Sequence, residues 1–433
     1  MKIIFLCAGK SNRLKPIKDK ILLNFCGKTL FERQITSIMN CGFKDFIIIG
    51  NKNNLPDFKI ICKKIKKTYP NLKFTFLEQK KSQDGMKGAI ETCKNITGKA
   101  LVVNSNDIVD KDIFDYIRKE SDKNNFDSII CGKVVNKYFN GGYLSLNNQG
   151  FLTDIVEKPG EGNEPSNLIN IVIHYFKSFE NFLYFVEKEN NENDCGYELA
   201  LKKFSKKHNI FVYKYDKNWL TIKYPWDIFT INDYYLKNLP KFIHKTAQIS
   251  ENVVIRGNVY LDENVKIFEN SVLVGPLYIG KNYIIANNVL IRESSIGANC
   301  VIGFNTEVAR SFLSDSIWTH SNYIGDSIID SDVSFGAGTV TGNLRLDEDL
   351  IKMNINGQKL NSQKNKLGCL IGSNVRIGIN CSLNPGLKIG SNSFISSGVV
   401  LQNDVDNDSF LSVKQNLVKK KNIKQVFNKN RSF

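Results

Sequence analysis

The stretch "IHKTAQISENVVIRGNVYLDENVKIFENSVLVGPLYIGKNYIIANNVLI", residues 243–291, decides the architecture of the second half of the chain. An isoleucine or leucine occupies every sixth position throughout it: Ile243, Ile249, Ile255, Leu261, Ile267, Leu273, Ile279, Ile285 and Ile291. A period of six fits neither a helix nor an ordinary strand, and it is typical of the hexapeptide repeats that build a parallel β-helix. Each repeat supplies one short strand, and its aliphatic side chain points into a core that runs along the coil.

The repeat continues beyond this stretch. The register slips by one residue and then resumes, and a later run keeps the same period: Ile296, Ile302 and Val308, then Ile371, Ile377, Leu383, Ile389, Ile395 and Leu401. Between the runs, "NLRLDEDLIKMNINGQKLNSQKNK", residues 343–366, lacks the period and predicts a loop or hairpin that leaves the coil. We therefore expect a left-handed parallel β-helix over residues 239–415, followed by a basic tail over residues 416–433.

The first half, residues 1–238, has a different rhythm. Strand-like segments alternate with segments of helical spacing; the strand candidates are "KIIFL" (2–6), "DFIIIG" (45–50), "KFTFL" (73–77), "ALVVNS" (100–105) and "DSIICGKV" (127–134), and the helix candidates include "KTLFERQITSIMNC" (28–41) and "GMKGAIETCKN" (85–95). This order predicts a Rossmann-like α/β domain with a mostly parallel sheet covered on both faces. Such sheets bind ligands beyond the carboxyl ends of their strands.

The composition narrows the classes of function. The 433 residues carry a formal net charge of +16, which suits an acidic partner such as nucleic acid or a phosphorylated small molecule, although solvated lysines explain such a total equally well. No nucleic-acid-binding module is visible, and no apolar run approaches the roughly 18 residues of a membrane span. The ten cysteines form no CxxC pair, and the first residues do not resemble a signal peptide, so we expect a cytoplasmic protein without a zinc site.

The loop after the first strand concentrates positive charge. "LCAGKSNRLKPIKDK", residues 6–20, places one arginine and four lysines around Gly9. The backbone N–H groups of such a turn, together with nearby cations, form an anion-binding cradle. The loop matches neither the P-loop pattern nor the dinucleotide GxGxxG pattern. It therefore predicts binding of an anion by another arrangement.

This loop resembles the signature of the sugar-1-phosphate nucleotidylyltransferases, L-x-x-G-x-(G/S)-(T/S)-R-L-x-P with a following lysine and G-K. The matching residues are Gly9, Ser11, Arg13, Leu14, Pro16, Lys20, Gly27 and Lys28. The segments "VVNSNDI", "SQDGMKGA", "GGYLSLNNQGFLTDIVEKP" and "NLIN" continue the resemblance. It implies transfer of a nucleotidyl group from a nucleoside triphosphate, most often UTP or dTTP, to a sugar 1-phosphate, with release of pyrophosphate.

The resemblance also implies roles for particular residues. Arg13 would hold the leaving pyrophosphate, Lys20 would stabilise the α-phosphate, and Asp107 would bind Mg²⁺. The nucleotide would lie against Leu6, Ala8, Gly9, Gly85 and either Gln79 or Gln83, of which Gln79 is preferred. The sugar phosphate would lie against Gly142, Glu157, Lys158 and Asn170.

The first half departs from the family pattern in one segment. Where the family has W-x-D-x-G-x-P with a second metal carboxylate, "WLTIKYP" has Thr221 and Lys223, and Asp227 lies nearby at a position that does not match. Val172 replaces a glycine that usually lies beside the sugar. Two interpretations stay open: a hydroxyl or water completes the Mg²⁺ shell, or the domain binds a nucleotide or sugar without turnover.

A second chemistry is indicated within the coil. "THSNYIGDSIIDSDVSFGAGTVTGNLRLD", residues 319–347, resembles the acetyltransferase half of bifunctional enzymes, especially archaeal-type ones, that acetylate amino-sugar 1-phosphates with acetyl-CoA. The resemblance makes His320 the general base, which suits the near-neutral pKa of histidine. The remaining acceptor-binding residues that it implies are Arg292, Arg310, Tyr323, Asn343 and Lys352, whereas Asp349 stands at a position where a basic residue is expected.

Sites of this kind lie between neighbouring coils, so the resemblance also implies a homotrimer. Two alternatives to the bifunctional enzyme stay open at this point. One is a single-activity nucleotidylyltransferase whose β-helix only trimerises. The other is a regulatory or scaffold subunit that binds nucleotide without catalysis.

Overall fold

The computed structural model describes residues 1–80, 85–123, 125–189 and 195–424. Within these residues the helices are α1 Leu30–Asn40, α2 Leu55–Thr68, α3 Gly85–Glu91, α4 Asp112–Lys123, α5 Phe179–Glu187, α6 Gly196–Ser205 and α7 Asp227–Lys237, and two 3₁₀ turns cover Asn12–Leu14 and Lys20–Leu22. The strands of the first half are β1 Lys2–Leu6, β2 Asn24–Phe25, β3 Lys28–Thr29, β4 Asp45–Gly50, β5 Lys73–Glu78, β6 Ala100–Asn104, β7 Asp107–Val109, β8 Ser128–Val134, β9 Gly142–Leu146, β10 Leu152–Glu157, β11 Leu168–Phe176, β12 Ile210–Lys214 and β13 Trp219–Thr221.

The first half is an α/β domain, as predicted. Strands β5, β4, β1 and β6 form a parallel sheet in that order. The long strand β11 then pairs antiparallel with β6, β8 and β9, and β10 and β12 complete the nine-stranded sheet. The carboxyl ends of β1 and β6 lie side by side, since Leu6 pairs with Asn104.

Both faces of this sheet are covered. Along β1, Ile3 and Phe5 pack into one hydrophobic cluster with residues of α1, α2 and α4, whereas Ile4 and Leu6 pack into another with residues of α3, α5 and α6. Successive side chains of a strand point to opposite faces, so an uninterrupted apolar strand requires two covering layers. The continuous apolar run of β1 is thus explained by burial on both sides.

The second half is a parallel β-helix with three faces, as predicted. The first face contains β14 Phe242–Ile243, β17 Val259–Leu261, β20 Leu277–Ile279, β23 Ser295–Ile296, β26 Phe312–Leu313, β29 Ile328–Ile329, β34 Leu370–Ile371 and β37 Lys388–Ile389. The second contains β15 Gln248–Ile249, β18 Lys266–Ile267, β21 Ile284–Ile285, β24 Val301–Ile302, β27 Ile317–Trp318, β30 Val333–Phe335, β35 Val375–Ile377, β38 Phe394–Ile395 and β40 Phe410–Leu411. The third contains β16 Val254–Arg256, β19 Val272–Val274, β22 Leu290–Arg292, β25 Glu307–Ala309, β28 Tyr323–Gly325, β31 Val340–Thr341, β36 Ser382–Leu383 and β39 Val400–Leu401.

The period-six residues form the interior of this coil. From Leu261 to Leu401 they are buried in one continuous cluster. Ile243 and Ile249 are exposed because they belong to the first coil, which has no preceding coil to cover it. The turns between faces use residues with positive φ, many of them asparagine, which tolerates the left-handed conformation better than most residues. Asn264, Asn282 and Asn299 also form a ladder, with side-chain amide bonds of 3.1 Å between successive coils.

The predicted excursion between the two runs is a β-hairpin of β32 Lys352–Ile355 and β33 Gln358–Asn361. Its Met353 and Ile355 are buried in a cluster that also contains Leu14 and Ile17 of the cation-rich loop. The same cluster joins the two halves elsewhere, with the rings of Phe25 and Phe312 5.1 Å apart. The hairpin therefore helps to pack the coil against the first half.

The end of the chain has little regular structure in its described part. Residues 412–424 are exposed and belong to no helix or strand, and the rest of the predicted basic tail, residues 425–433, lies outside the described residues. Among the described helices, none combines the length and apolar character needed to cross a membrane.

Candidate active sites

A cavity of about 290 Å³ lies at the carboxyl ends of β1 and β6. It is lined by all five residues assigned to the nucleotide: Leu6, Ala8, Gly9, Gln79 and Gly85. The Gln79 side chain donates a hydrogen bond of 2.8 Å to the Gly85 carbonyl, which ties β5 to the start of α3. The alternative Gln83 lies outside the described residues. The cavity is thus where an α/β sheet binds ligands.

Five further residues line this cavity that were not predicted to do so, among them Met86 and Ala89 of α3. Asn104, Ser105 and Asn106 form the turn after β6. The Ser105 hydroxyl donates to the Leu6 carbonyl at 2.6 Å and so fixes this turn beside β1. The only sequence signal for them was their place at a strand end. Gly85 adopts a φ of +53°, a left-handed conformation that explains the glycine there.

The cation-rich loop is held by hydrogen bonds of its own polar residues. Ser11 has a φ of 52°, and its hydroxyl accepts from the Lys20 backbone N–H at 3.2 Å. The Asp19 carboxylate accepts from the Ile21 N–H at 3.0 Å and from the Asn54 side chain at 2.8 Å. These bonds curl the loop so that Lys20 returns toward the sheet.

The two predicted catalytic cations of this loop have different surroundings. The Lys20 ammonium donates to the Ile222 carbonyl at 3.0 Å, and burial lowers the pKa of Lys20 to about 8, with Asp19 opposing that change. Arg13 is exposed, and its guanidinium lies 5.6 Å from the centre of the Tyr224 ring. A bound anion could therefore contact Arg13 without displacing a carboxylate partner, since no ion pair of Arg13 exists within the described residues.

Asp107, the predicted metal ligand, is buried and well hydrogen-bonded. Its carboxylate accepts from the Trp219 indole N–H at 3.0 Å, from the Asn104 side chain at 3.3 Å and from the Val172 backbone N–H at 3.4 Å. Burial raises the pKa of Asp107, and these donors oppose the rise. Val172, the replacement for the usual glycine, thus contributes its backbone to this carboxylate.

The position of the missing second carboxylate lies directly opposite Asp107. Strands β7 and β13 pair antiparallel, and Thr221 is the register partner of Asp107. The nearby Asp227 accepts from the backbone N–H groups of Lys223 and Tyr224, both at 2.7 Å, at the start of α7. Asp227 therefore has a structural role at the helix N-terminus and does not replace the absent acid.

The residues assigned to the sugar phosphate lie together on β9, β10 and β11. Gly142 is the register partner of Glu157, and a Cβ added at Gly142 would lie 2.9 Å from a Glu157 carboxylate oxygen, so a larger residue there would displace that carboxylate. Lys158 has a φ of 50°, and its ammonium lies 3.2 Å from Glu157. Asn170 faces the same place, because its Cβ lies 3.6 Å from that built atom.

A buried histidine orients Asn170, which the sequence did not reveal. His174 Nε2 lies 2.9 Å from the Asn170 amide oxygen, and His174 Nδ1 lies 2.8 Å from the Tyr197 hydroxyl. Burial lowers the pKa of His174 to about 3, so the ring is neutral near pH 7. An amide oxygen can only accept, so Nε2 carries the proton and Nδ1 accepts from Tyr197.

In the coil, two of the predicted acceptor residues bond to one carboxylate, and a third joins them through Asn343. Arg310 makes a bidentate pair with Asp326, with bonds of 2.7 and 2.6 Å. The Asn343 side chain donates to the same carboxylate at 2.5 Å and to the Tyr323 hydroxyl at 3.0 Å. Asp326, which lies in the quoted stretch 319–347 but received no role, is therefore the centre of this network.

The other predicted residues of the coil lie around this network without joining it. Arg292 pairs with Glu307 through bonds of 3.0 and 2.7 Å, and Glu307 is the register partner of Tyr323 on the next coil. His320 is exposed in the turn between β27 and β28, three residues before Tyr323. Lys352 is exposed on the hairpin, and within the described residues no hydrogen bond connects it to Asp326 or its partners.

Comparison with known proteins defines the class. Residues 2–238 match the nucleotidyl transferase family, and residues 368–403 match the bacterial transferase hexapeptide family with six repeats. The chain belongs to the nucleotidyl transferase family. A solved UDP-glucose pyrophosphorylase in complex with UDP-glucose has a TM-score of 0.48 and 19% identity, over 55% of this chain and 99% of that chain.

Relatives that match over nearly the whole chain define the family more closely. The bifunctional protein GlmU of Methanococcus vannielii is 33% identical over 97% of this chain and 100% of its own length. A bifunctional sugar-1-phosphate nucleotidylyltransferase/acetyltransferase of Sulfurisphaera tokodaii is 33% identical over 95% of this chain and 100% of its own. The chain belongs to this family of bifunctional nucleotidylyltransferase/acetyltransferases, which confirms the resemblance found in the sequence.

The residues around Asp107 fit a Mg²⁺ ion that arrives with a triphosphate better than an ion held by the protein alone. Within the described residues no group of three or more His, Cys, Asp or Glu side chains could hold a metal ion. Asp107 offers carboxylate oxygen, and the residue opposite it is Thr221. Because Mg²⁺ keeps several waters and is commonly bound by one or two carboxylates plus substrate phosphates, one carboxylate is sufficient for such an ion.

Proposed function

We propose that the first domain, residues 1–238, transfers a nucleotidyl group from UTP or dTTP to a sugar 1-phosphate and releases pyrophosphate. The observation that carries this proposal is that the parts adjoin. Asn104, which lines the cavity, donates a hydrogen bond to Asp107, and Lys20 interacts electrostatically with Asp107 and Arg13. Lys223 interacts with Asp107 and Arg13 and also with Glu157 and Lys158 of the sugar-phosphate residues. Little covalent chemistry is required of the protein in such a transfer, so catalysis is mainly positioning and charge stabilisation.

In this proposal each residue keeps the role that the sequence gave it. The Arg13 guanidinium holds the pyrophosphate, since its fork can grip two oxygens. Lys20 stabilises the α-phosphate, and Lys158 with Asn170 and the Gly142 backbone holds the sugar phosphate. Mg²⁺ bound to the triphosphate would neutralise charge on its oxygens, and Asp107 would be its carboxylate ligand.

We further propose that the β-helix, residues 239–415, transfers an acetyl group from acetyl-CoA to an amino-sugar 1-phosphate. His320 takes the proton that the amine loses when its nitrogen attacks the thioester carbon and the CoA thiolate leaves. Tyr323 and Asn343 orient the sugar, and Arg292, Arg310 and Lys352 are the cations available to its phosphate. The exposure of His320 beside the Asp326-centred network supports this assignment.

The oligomer in this proposal is a homotrimer whose coils meet near His320. Exposed apolar side chains lie on that part of the coil: Trp318 and Phe304 are each 55% exposed, and Ile284 is 38% exposed. Ile284 and Trp318 lie on the same face and both pair with Val301, which belongs to the coil between theirs. Exposed apolar surface of this kind marks an interaction site. A neighbouring subunit would cover it and complete the acetyl-acceptor site.

A cytoplasmic location is also part of the proposal. Within the described residues no disulfide is formed, and nine of the ten cysteines are buried. Such thiols are compatible with a reducing compartment.

One substrate panel tests both activities. Purified protein is incubated with Mg²⁺, each of UTP, dTTP, CTP and GTP, and glucose, glucosamine, galactosamine or N-acetylglucosamine 1-phosphate, and pyrophosphate release is measured. Acetyl-CoA with each amino-sugar phosphate is assayed separately by thiol release. We expect both signals. Pyrophosphate alone would favour the single-activity enzyme, and silence in both assays with nucleotide still bound would favour the regulatory subunit.

A further inference from the structure

The family pattern and this chain differ most in charge at the segment 219–225. Relative to W-x-D-x-G-x-P, Thr221 removes a negative charge and Lys223 adds a positive one. The side chains of this segment are therefore two charges more positive than the pattern, which equals the charge of one divalent cation. Both positions adjoin Asp107, since Thr221 pairs with it in the β7–β13 ladder.

The Lys223 side chain is fixed in place. Its ammonium donates to the Asn140 carbonyl at 2.6 Å and lies 3.6 Å from the centre of the Phe139 ring. The Phe139 ring packs edge-on against Trp219 at 4.9 Å, and the Trp219 indole donates to Asp107. A lysine held by a carbonyl and an aromatic face has lost much of the rotamer freedom of a solvated lysine.

The charges around Lys223 come from both proposed substrate sites. Asp107 and Arg13 interact with it electrostatically from the side proposed for the triphosphate. Glu157 and Lys158 interact with it from the side proposed for the sugar phosphate. The ammonium is thus within electrostatic range of both places where phosphates are expected.

We propose that Lys223 is a built-in cation that neutralises the two reacting phosphates in place of a metal ion shared by two carboxylates. This inference rests on the proposed nucleotidyl transfer. In that step a sugar-phosphate oxygen forms a bond to the α-phosphorus, the bond from that phosphorus to the bridging oxygen breaks, and pyrophosphate leaves with the electron pair. Lys223 stays protonated throughout and lowers the repulsion between the approaching anions. Asp107 would then be a ligand only of the Mg²⁺ ion that is bound to the triphosphate.

The test measures two affinities, that for a sugar 1-phosphate without metal and that for a metal ion alone. The proteins compared are wild type, Lys223→Gln, Lys223→Arg and the double variant Thr221→Asp/Lys223→Gly. Calorimetry in EDTA measures the affinity for glucose 1-phosphate, or for whichever sugar 1-phosphate the panel selects. We expect Lys223→Gln to weaken binding by about tenfold or more, as for loss of a charged hydrogen bond, and Lys223→Arg to retain most of it. Lys217→Gln is the matched control, because Lys217 pairs with the exposed Asp112 elsewhere on the surface.

Electron paramagnetic resonance of Mn²⁺ supplies the second readout, on nucleotide-free protein. We expect the double variant to bind Mn²⁺ at least about tenfold more tightly than wild type, because two carboxylates then face each other without a resident cation. The inference would be overturned by equal Mn²⁺ affinity in both proteins. It would also be overturned if Lys223→Gln left the affinity for glucose 1-phosphate in EDTA unchanged. Both measurements are made without turnover, so the two failures are distinguishable: a wild type that binds the sugar phosphate through Lys223 yet releases no pyrophosphate would contradict the proposed function but not the phosphate-binding role of Lys223.

Discussion

The two candidate sites hold their positive charges in opposite ways. At the sheet mouth, Lys20 and Lys223 have backbone carbonyls as hydrogen-bond acceptors, and Arg13 has an aromatic ring. In the coil, Arg310 and Arg292 each make a bidentate or doubled contact with a carboxylate of the next coil.

This difference indicates what each site recognises. In the described part of the chain the partly buried Lys20 and the exposed Arg13 have no carboxylate hydrogen-bond partner, unlike Lys158, which pairs with Glu157. Such cations attract a polyanion, and a triphosphate supplies the negative charge. Arginines that are already neutralised have a smaller electrostatic effect and act more through hydrogen-bond geometry, which suits an acceptor that must present an amine in one orientation. The first site therefore depends mainly on electrostatic attraction, and the second depends mainly on hydrogen-bond geometry.

The largest expected effect separates the two sites by removing the base in the coil. His320→Ala should lower the rate of acetyl transfer by about 10² to 10⁴, the usual contribution of a general base, and should leave pyrophosphate release unchanged. His244→Ala is the control, because His244 lies on the first coil, where its ring bonds to Thr246 and lies 3.9 Å from a Glu263 carboxylate oxygen. Acetyl transfer by His320→Ala within threefold of wild type would contradict the assignment.

Asp107→Asn should produce the converse separation. The variant keeps the size of the side chain and can keep the Trp219 bond, yet it lacks the charge, so we expect pyrophosphate release to fall about 10²- to 10³-fold with acetyl transfer intact. Circular dichroism and Trp219 fluorescence check that the fold is retained. A decrease in both activities would indicate that the sites are coupled or that the variant is misfolded.

Asp326→Asn tests whether the arginines of the coil act through geometry. In this variant Arg310 loses its bidentate partner, and Asn343 no longer faces a charge. The KM for the amino-sugar phosphate should therefore rise by about 10- to 100-fold, as for loss of hydrogen bonds to a charged group. The KM for acetyl-CoA should change little. Glu307→Gln, on the neighbouring coil, is the companion variant and should have the smaller effect.

A pH profile tests the desolvated lysines at the sheet mouth. The pKa values of Lys20 and Lys223 are lowered by burial to about 8. A lysine with a lowered pKa is charged below that value and loses its charge as the pH rises through it. We therefore expect kcat/KM for the triphosphate to decline above about pH 8, roughly tenfold per pH unit for each lysine. Acetyl-acceptor binding to the paired arginines should not follow this profile, and a flat nucleotidyl profile to pH 10 would contradict it.

The smallest expected effect concerns positioning. His174→Phe removes the donor that orients Asn170, so the KM for the sugar 1-phosphate should rise by about tenfold while the KM for the triphosphate stays the same. Because His174 is neutral, with a pKa of about 3, the ratio of this KM between variant and wild type should stay constant from pH 5 to 8, even though the sugar phosphate itself titrates at about pH 6. Tyr197→Phe removes only the second link and should give a milder change of the same kind.

Much of the fold could be predicted because its signals are local. The period of six buries one residue per strand, so residues such as Leu261 and Ile371 could be assigned to the coil core from spacing alone. The alternating elements of the first half likewise predict β1, β4 and β6 at their observed positions. The exceptions are informative: Ile243 and Ile249 keep the period but remain exposed, because periodicity does not show where a coil ends.

The parts of the sites that sequence analysis missed depend on contacts between distant positions. Arg310 and Asp326 are 16 residues apart and meet because consecutive coils stack. His174 and Tyr197 are 23 residues apart on different elements, and no local pattern connects them. The motif supplied the identity of each group, whereas the partner that fixes its orientation comes from the tertiary structure.

The most direct measurement is a crystal structure of the protein with UTP or dTTP and Mg²⁺. The account predicts the base in the cavity lined by Gln79 and Gly85, the phosphates between Arg13 and Lys20, and the metal ion at Asp107 with no second carboxylate ligand. A nucleotide bound elsewhere on the chain, or phosphates that contact neither Arg13 nor Lys20, would contradict it.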